Sequence, residues 1–594
     1  MRSVKKLLSI AVLSIFVFLC SCSFATQTTE TPETEAVPSA TTQPAKIAGG
    51  DMFIAIPADV DSFDPLEADS EDLVNLLTLV YETPLKYETN GRIVNNLVER
   101  IEVNETKTQF TFVLRNDVYF SDGTKMTADD MVYSANKVRG LYGGTQPSSS
   151  NEMGDGEDGQ TPEEDTADQG EEGGDVQAAE TETNTGEANG NTGSRYRRYA
   201  GLVVDIEKIN DQTVLLTMDE PGNAALHFMT FPVMNAALDA QELPVGTGPY
   251  MVEGYSDSGE ITLVVNDRWW QKAPYIEKIV AKPAEGINQK LEFVQSSMID
   301  LVTTDVLYAS KYSQPQVTQV IDYMTNYYDC LIPNQISAKM KDVKVRQAIS
   351  YAIDRREILS TVLLNHGVPT NLPIAPDNYA YESKYKISDY DRQLAKDLLE
   401  EAGYRSDPDG DGAVLQLEMI VLSDRNQPYK KEAAKTIKKQ LEDVGIVLTI
   451  FELDSEEYMI LLEGGNFDLA YCSYYLDVVP DFEYLFGENG EGNYGHVSND
   501  EINKAVKEYK LAVTEEEVLS AYSDLQRVLT ERVPQIGLYF RMNSIICDAG
   551  IQGIAEPRQN SIYSHISEWS ISYVADAFNS ENAAAQPEQQ PETE

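Results

Sequence analysis

The chain has 594 residues, with 46 Lys+Arg against 97 Asp+Glu and a formal net charge of −51. That excess argues against nucleic acid, because phosphate binding needs clustered Lys and Arg. It also argues against lying on an anionic membrane through a basic face. Four His leave little for a His-rich metal site, and five Cys rule out a disulfide scaffold. Hydrophobic residues make up 42%, enough for a sizeable core, and the length suggests two to four domains.

At the start, Arg2, Lys5 and Lys6 precede the apolar run 7–19. A spanning helix needs about 20 such residues, so the run reads as a secretory signal. It ends in Leu19-Cys20-Ser21-Cys22, which resembles the bacterial lipobox with Cys22 as the lipidated first mature residue. Residues 1–21 are then a lipoprotein signal peptide, and the Thr/Pro/Glu-rich stretch 22–46 a disordered tether. Such a coil spans roughly 25–30 Å. The expected location is extracytoplasmic, anchored by lipid to the bacterial cell membrane. No stretch reaches 18 consecutive apolar residues.

In the body, 52–56 alternates as a first strand. In 71–81, Leu73, Leu76, Leu77 and Val80 recur at helical spacing. A strand over 109–115 and a turn at Ser121-Asp122-Gly123 follow. Thr127 and Asp130 form a capping box that opens a helix with Met131, Val132, Ala135 and Val138 inward. Residues 143–194 hold fourteen acids and no Lys or Arg. Such a segment cannot bury enough apolar area to offset its chain entropy, so it reads as a disordered acidic insertion. A hairpin over 202–209 and 213–218 turns at Asn210-Asp211, and strands are predicted at 249–255, 260–265 and 276–281. Beyond 340 the pattern changes. Helices at 343–364, 391–403, 429–444, 499–509 and 515–531 alternate with strands at 414–422, 447–452 and 468–474. A strand at 535–540 returns to short pieces, and 580–594 reads as a disordered acidic tail.

A β-rich start, an α/β middle and a β return imply two lobes crossed more than once by the chain, and hence a hinge. Cys330, Cys472 and Cys547 remain in the body; we expect all three to be buried and unpaired.

Asp407, Asp409, Asp411 and Glu418 fit D-x-D-x-D-G-x5-E, with Gly412 permitting the sharp turn. A helix precedes this loop but a strand follows it. It reads either as a structural calcium site or as a polar turn.

Several blocks then become recognisable. Ser121-Asp122-Gly123-Thr124 with Thr127-Ala128-Asp129-Asp130, Gly246-Thr247-Gly248-Pro249-Tyr250, Asn266-Asp267-Arg268-Trp269-Trp270, Val345-Arg346-Gln347-Ala348 through Asp354-Arg355, and 398–404 (LLEEAGY) occur in order. Together they resemble the family 5 extracellular solute-binding proteins, the peptide and nickel receptors of ABC importers. The resemblance implies an α/β, two-lobed periplasmic-binding-protein-like fold (type II) with an extra N-terminal subdomain and a hinge. The expected layout is a first lobe over 47–325 with the subdomain at about 70–200, a second lobe over 326–532, and a return to the first over 533–579. These blocks identify the fold and are not ligand contacts. Gly246 and Gly248 read as a turn at φ values that other residues avoid.

The resemblance also implies a ligand site. In the peptide receptors an acid four residues before a Pro holds the ligand's α-ammonium. Here that position is Leu476, so Asp477, three before Pro480, is the candidate; otherwise it is a solvated loop acid. Tyr471, Tyr474 and Tyr475 end a strand at the presumed cleft. Alternation puts Tyr474 with Cys472 on one face and Tyr471 with Tyr475 on the other, serving either ligand or core. Asp69 and Glu71 correspond to a cleft loop or are simply helix N-terminal acids.

The function implied is a substrate-binding lipoprotein, not an enzyme. It would capture oligopeptides between its lobes and deliver them to a permease with its ATPase subunits. It requires no cofactor beyond a possible structural calcium, and its expected partners include a membrane, through the lipid, and no nucleic acid. The alternatives are a nickel or metal-chelate receptor of the same family and a non-transport surface sensor on the same fold. A secreted hydrolase is disfavoured, since neither G-x-S-x-G nor H-E-x-x-H occurs.

Overall fold

The computed structural model describes residues 49–58, 60, 62–68, 70–143, 193–238, 243–385, 390–405, 412–425 and 427–572. The signal, Cys22, the tether, almost all of the acidic insertion and the tail lie outside them, as do Asp69, Asp407, Asp409 and Asp411.

Two long strands organise the body. Thr318–Pro333 has 16 residues and Ile536–Asp548 has 13. At about 3.3 Å per residue, the first is roughly 50 Å long. They pair antiparallel with each other through both lobes, and their register shifts between Met324 and Tyr328. On one side of that break, Ile536–Asp548 continues into Leu301–Thr304, Asp51–Pro57 and Lys278–Ala284, the sheet of the first lobe. On the other, Thr318–Pro333 pairs with Leu469–Tyr475, which leads to Gln416–Leu422 and Val447–Leu453 in the second. All belong to one 11-stranded sheet. The fold is α/β and two-lobed, with the hinge at this double crossing.

The second-lobe half of Thr318–Pro333 is covered on both faces. Tyr328, Cys330 and Ile332 enter one apolar cluster, while Leu331 enters another with Tyr471 and Tyr539. Strands buried on both faces do not alternate apolar with polar.

The subdomain is a four-stranded antiparallel sheet of Val98–Val103, Gln109–Leu114, Thr213–Met218 and Val203–Asn210. It therefore runs past the expected limit near 200. Thr127 and Asp130 make the reciprocal capping box that opens Ala128–Tyr142. That helix ends at Gly143 and a second begins at Gly193, so the acidic insertion separates two helices of the subdomain.

Two expectations are corrected. The predicted helix 343–364 is two helices, Val343–Ala352 and Arg355–Val362. Asp354 caps the second by accepting from the backbone N–H of Arg356 and Glu357, and Ile353 is extended. Gly246 and Gly248 are not at positive φ. Glycine is required because the backbone passes too close to its neighbour: a Cβ on Gly246 would lie 1.9 Å from the Val80 carbonyl oxygen, and one on Gly248 2.5 Å from that of Leu79.

Arg346 and Arg355, from the most recognisable block, are structural. Buried Arg346 donates to the carbonyls of Val533, Met340, Lys341 and Arg532. Arg355 donates to the carbonyls of Gly537, Ser350 and Ile353. Each guanidinium ties its helix to several neighbouring backbone carbonyls.

Candidate interlobe site

Beside the hinge, the end of Leu469–Tyr475 meets the chain returning to the first lobe. The half-buried Tyr475 hydroxyl accepts from Asn560 Nδ2 at 2.7 Å and Asn326 Nδ2 at 3.4 Å. The backbone N–H of Asn326 donates to Gln559 Oε1 at 2.9 Å, and Gln559 Nε2 donates to Glu71 at 3.2 Å. Tyr323 donates to the other Glu71 oxygen at 3.2 Å. Tyr475 and Glu71 are thus joined through a relay of amides. Burial pushes the Glu71 carboxyl above its usual range, and the hydrogen bonds from Tyr323 and Gln559 oppose that rise. Beside it, Asp72 pairs with Lys290.

An aromatic and ionic wall continues from Tyr475. Tyr327 meets it edge-on at 5.2 Å. Arg541 lies over the Tyr327 ring at 4.7 Å and the Tyr429 ring at 5.3 Å. Its Nε donates to Asp329 at 2.7 Å, and Nη2 to Ser473 Oγ, also at 2.7 Å. Asp329 is fully buried. A buried carboxylate of this kind is tolerated because guanidinium and hydroxyl donors satisfy it. The corner offers flat aromatic faces, amides and hydroxyls, a donor and acceptor mixture suited to orienting a polar chain.

The predicted residues divide. Tyr475 and Glu71 come together through the relay. Tyr471 and Tyr474 do not face a cleft. Tyr471 is 1% exposed and its hydroxyl meets that of Tyr539 at 2.5 Å; Tyr474 is 0% exposed and donates to the Gly492 carbonyl at 2.8 Å. The alternation of the two faces holds, but both faces are core. Leu476 is buried, while Asp477 is half-buried with its carboxylate 3.9 Å from Arg198 of the subdomain. Glu418 stands exposed on Gln416–Leu422, its backbone N–H held by Asp468 at 3.0 Å. Sequence reasoning missed Arg198, Asn326, Arg541, Gln559 and Asn560. Their partners lie far away along the chain, and no local period marks them.

The three cysteines are buried and free. Burial pushes the Cys472 thiol up to about 12.

Comparison with known proteins identifies relatives of the chain and of its fold. The family model described as "Bacterial extracellular solute-binding proteins, family 5 Middle" matches residues 92–495. The oligopeptide-binding protein AppA of Bacillus subtilis is 22% identical, covering 88% of this chain and 91% of its own. Its structure in complex with a nonapeptide superposes with a TM-score of 0.55 at 18% identity, covering 89% of this chain and 100% of that one. HbpA2 from Haemophilus parasuis superposes with a TM-score of 0.69 at 18% identity, covering 88% and 100%.

Proposed function

The chain belongs to the bacterial extracellular solute-binding proteins of family 5, the substrate-binding components of ABC importers, and from that premise we propose that its ligand is an oligopeptide held between the two lobes. The observation that carries this reading is the relay from Tyr475 through Asn326, Asn560 and Gln559 to Glu71. It joins second-lobe and first-lobe groups at the hinge with donors and acceptors that match a peptide backbone. The oligopeptide-binding relative, aligned over most of both chains, supports the same class.

In this reading Tyr475 and Glu71 face the ligand, and Asp69 lies two residues from Glu71. Closure by hinge bending traps the ligand. Delivery is to a permease with its ATPase subunits, and Cys22 carries the lipid that keeps the receptor at the membrane. The chain binds and releases; we assign it no catalysis. For 407–418 we propose a structural calcium ion. Gly412, at φ +107, supports the turn that such a loop needs. Calorimetry on chelator-treated protein with no calcium heat near millimolar rejects that ion.

The test of the main reading is mass spectrometry of what co-purifies with the protein. Peptides of varied sequence are expected. A nickel chelate or a sugar overturns the reading.

A further inference from the structure

The subdomain touches the second lobe as well as the first, and the contact centres on the end of the second-lobe helix Asp500–Leu511. The last turn of a helix leaves its carbonyls without donors from the helix itself. Here donors come from the turn that follows the subdomain strand Thr213–Met218, and from Lys107. Asn223 donates through Nδ2 to the Tyr509 carbonyl at 3.0 Å, and through its backbone N–H to that of Lys510 at 2.8 Å. Lys107 Nζ donates to the Leu511 carbonyl at 2.9 Å. The Gly222 N–H donates to the Lys107 carbonyl at 3.0 Å, so the two donors are held as one unit. Asn223 is buried. Its approach requires glycine before it: Gly222 sits at φ +136, and a Cβ there would lie 2.1 Å from the Lys510 oxygen.

Side chains interlock around this cap. Val513, just past the helix, packs against the apolar cluster of the subdomain, and Tyr87 of the subdomain packs against one of the second lobe. The hairpin of Leu85–Tyr87 and Ile93–Asn95 adds a backbone bond, from the Tyr379 N–H to the Asn90 carbonyl at 3.0 Å. Two ion pairs flank the contact, Arg92 with Glu515 and Lys107 with Glu517, each at 2.8 Å. Lys107, with the backbone N–H groups of Val513 and Thr514, holds the Glu517 carboxyl down to about 2. Exposed pairs of this kind contribute little singly. The capped carbonyls and the interlocked side chains carry the contact.

The subdomain is also fixed to the first lobe. Lys137 pairs at 2.6 Å with Asp64, in the loop after the first-lobe strand Asp51–Pro57, and Tyr142 donates to the Leu66 carbonyl in the same loop at 2.7 Å. Bending where Thr318–Pro333 crosses Ile536–Asp548 therefore cannot part the lobes without pulling Asn223 and Lys107 off the helix end. We propose that the subdomain is a latch, which holds the two lobes together when no ligand is bound. Every group in the cap belongs to this chain, so its hold does not depend on what occupies the interlobe corner. Ligand enters only after the cap releases, and the latched fraction weakens the apparent affinity in proportion. The latch is independent of the peptide reading and operates for any ligand.

Small-angle X-ray scattering of the full chain tests the latch. Bound material is stripped by unfolding in guanidinium and refolding, and the radius of gyration is measured before and after. For the unaltered protein the two radii should agree, because the empty lobes stay together. The double variant Asn223→Ala with Lys107→Met removes two of the three cap bonds and the Glu517 pair. After stripping, it should shift to a larger radius than the stripped unaltered protein. A larger radius on stripping the unaltered protein overturns the proposal. So does an unchanged radius in a stripped double variant whose circular dichroism is that of the unaltered chain. The first of these needs no variant, so a variant that fails to fold does not shelter the idea.

Discussion

Tyr87 and His227 meet through a 2.7 Å hydrogen bond between the tyrosine hydroxyl and Nδ1, inside a stack in which Tyr199 covers the imidazole. Burial, with a smaller push from Arg198, lowers the His227 pKa to about 3. The ring is therefore neutral, and a single hydrogen bond joins its Nδ1 to the Tyr87 hydroxyl. The sign follows from proton uptake: between about 6.5 and 3 the unfolded chain binds this proton and the folded one does not. Stability from His227 is complete above about pH 6.5 and is lost as pH falls toward 3. Going from pH 7 to pH 5 should remove about 2 kcal/mol. His227→Phe keeps the stack and abolishes the titration. Thermal scans should therefore show a smaller fall in Tm between pH 7 and pH 5 for His227→Phe than for the unaltered chain. Equal falls would refute the assignment.

The same neighbourhood shows what the sequence could and could not reveal. Strands such as Asp51–Pro57 and Gln109–Leu114, and the capped helix at Thr127, were legible because their patterns are local. Thr318–Pro333 carries no such local pattern. It carries Asp322, Asn326 and Asp329 within an aromatic run, and the charge of Asp329 is tolerated through Arg541, 212 residues away. Tyr471 and Tyr474 do fall on opposite faces, but alternation cannot tell that both faces are covered. Arg198 sits just after the acidic insertion, and its partners belong to the other lobe. A long-range ion pair leaves no period to read.

The glycines of the 246–250 turn offer a contrast within one lobe. Gly246→Ala places a Cβ 1.9 Å from the Val80 carbonyl oxygen, a rigid backbone atom. Either the turn or the Leu79-Val80 segment must move, which breaks the 2.9 Å bond from Gly248 N–H to the Val80 oxygen. Destabilisation of about 2–4 kcal/mol is expected. Gly254→Ala, whose Cβ would meet nothing within 4 Å, should change stability by less than about 0.5 kcal/mol. Denaturant titration of both variants checks the pair. A Gly246→Ala protein as stable as Gly254→Ala would show that the close approach is unimportant.

Cys330 and Cys472 are register partners on adjacent antiparallel strands, and both are buried, as is Cys547. Thiolate is the reactive form, and burial pushes all three thiols upward. Native protein should therefore resist alkylation at neutral pH. After denaturation without reductant, peptide mapping should find label on all three. Recovery of label on Cys547 alone would mean that the facing pair is oxidised.

Tyr474 and Tyr475 are consecutive residues with opposite expected phenotypes. The Tyr474 hydroxyl donates to the Gly492 carbonyl in a core with no solvent access. Tyr474→Phe leaves that oxygen without its donor and should cost about 1–2 kcal/mol of stability, with ligand affinity unchanged. The Tyr475 hydroxyl instead accepts from Asn560 and Asn326, the first link of the relay to Glu71. Tyr475→Phe frees both amides to rotate and removes an acceptor at the interlobe corner. Affinity for the co-purified peptides should fall roughly 5–20-fold, about 1–2 kcal/mol by the usual conversion. Calorimetry with those peptides and a thermal scan of each variant distinguish the roles. If Tyr474→Phe weakens binding while Tyr475→Phe does not, the ligand lies on the other side of the strand and the relay is only a structural bridge between lobes.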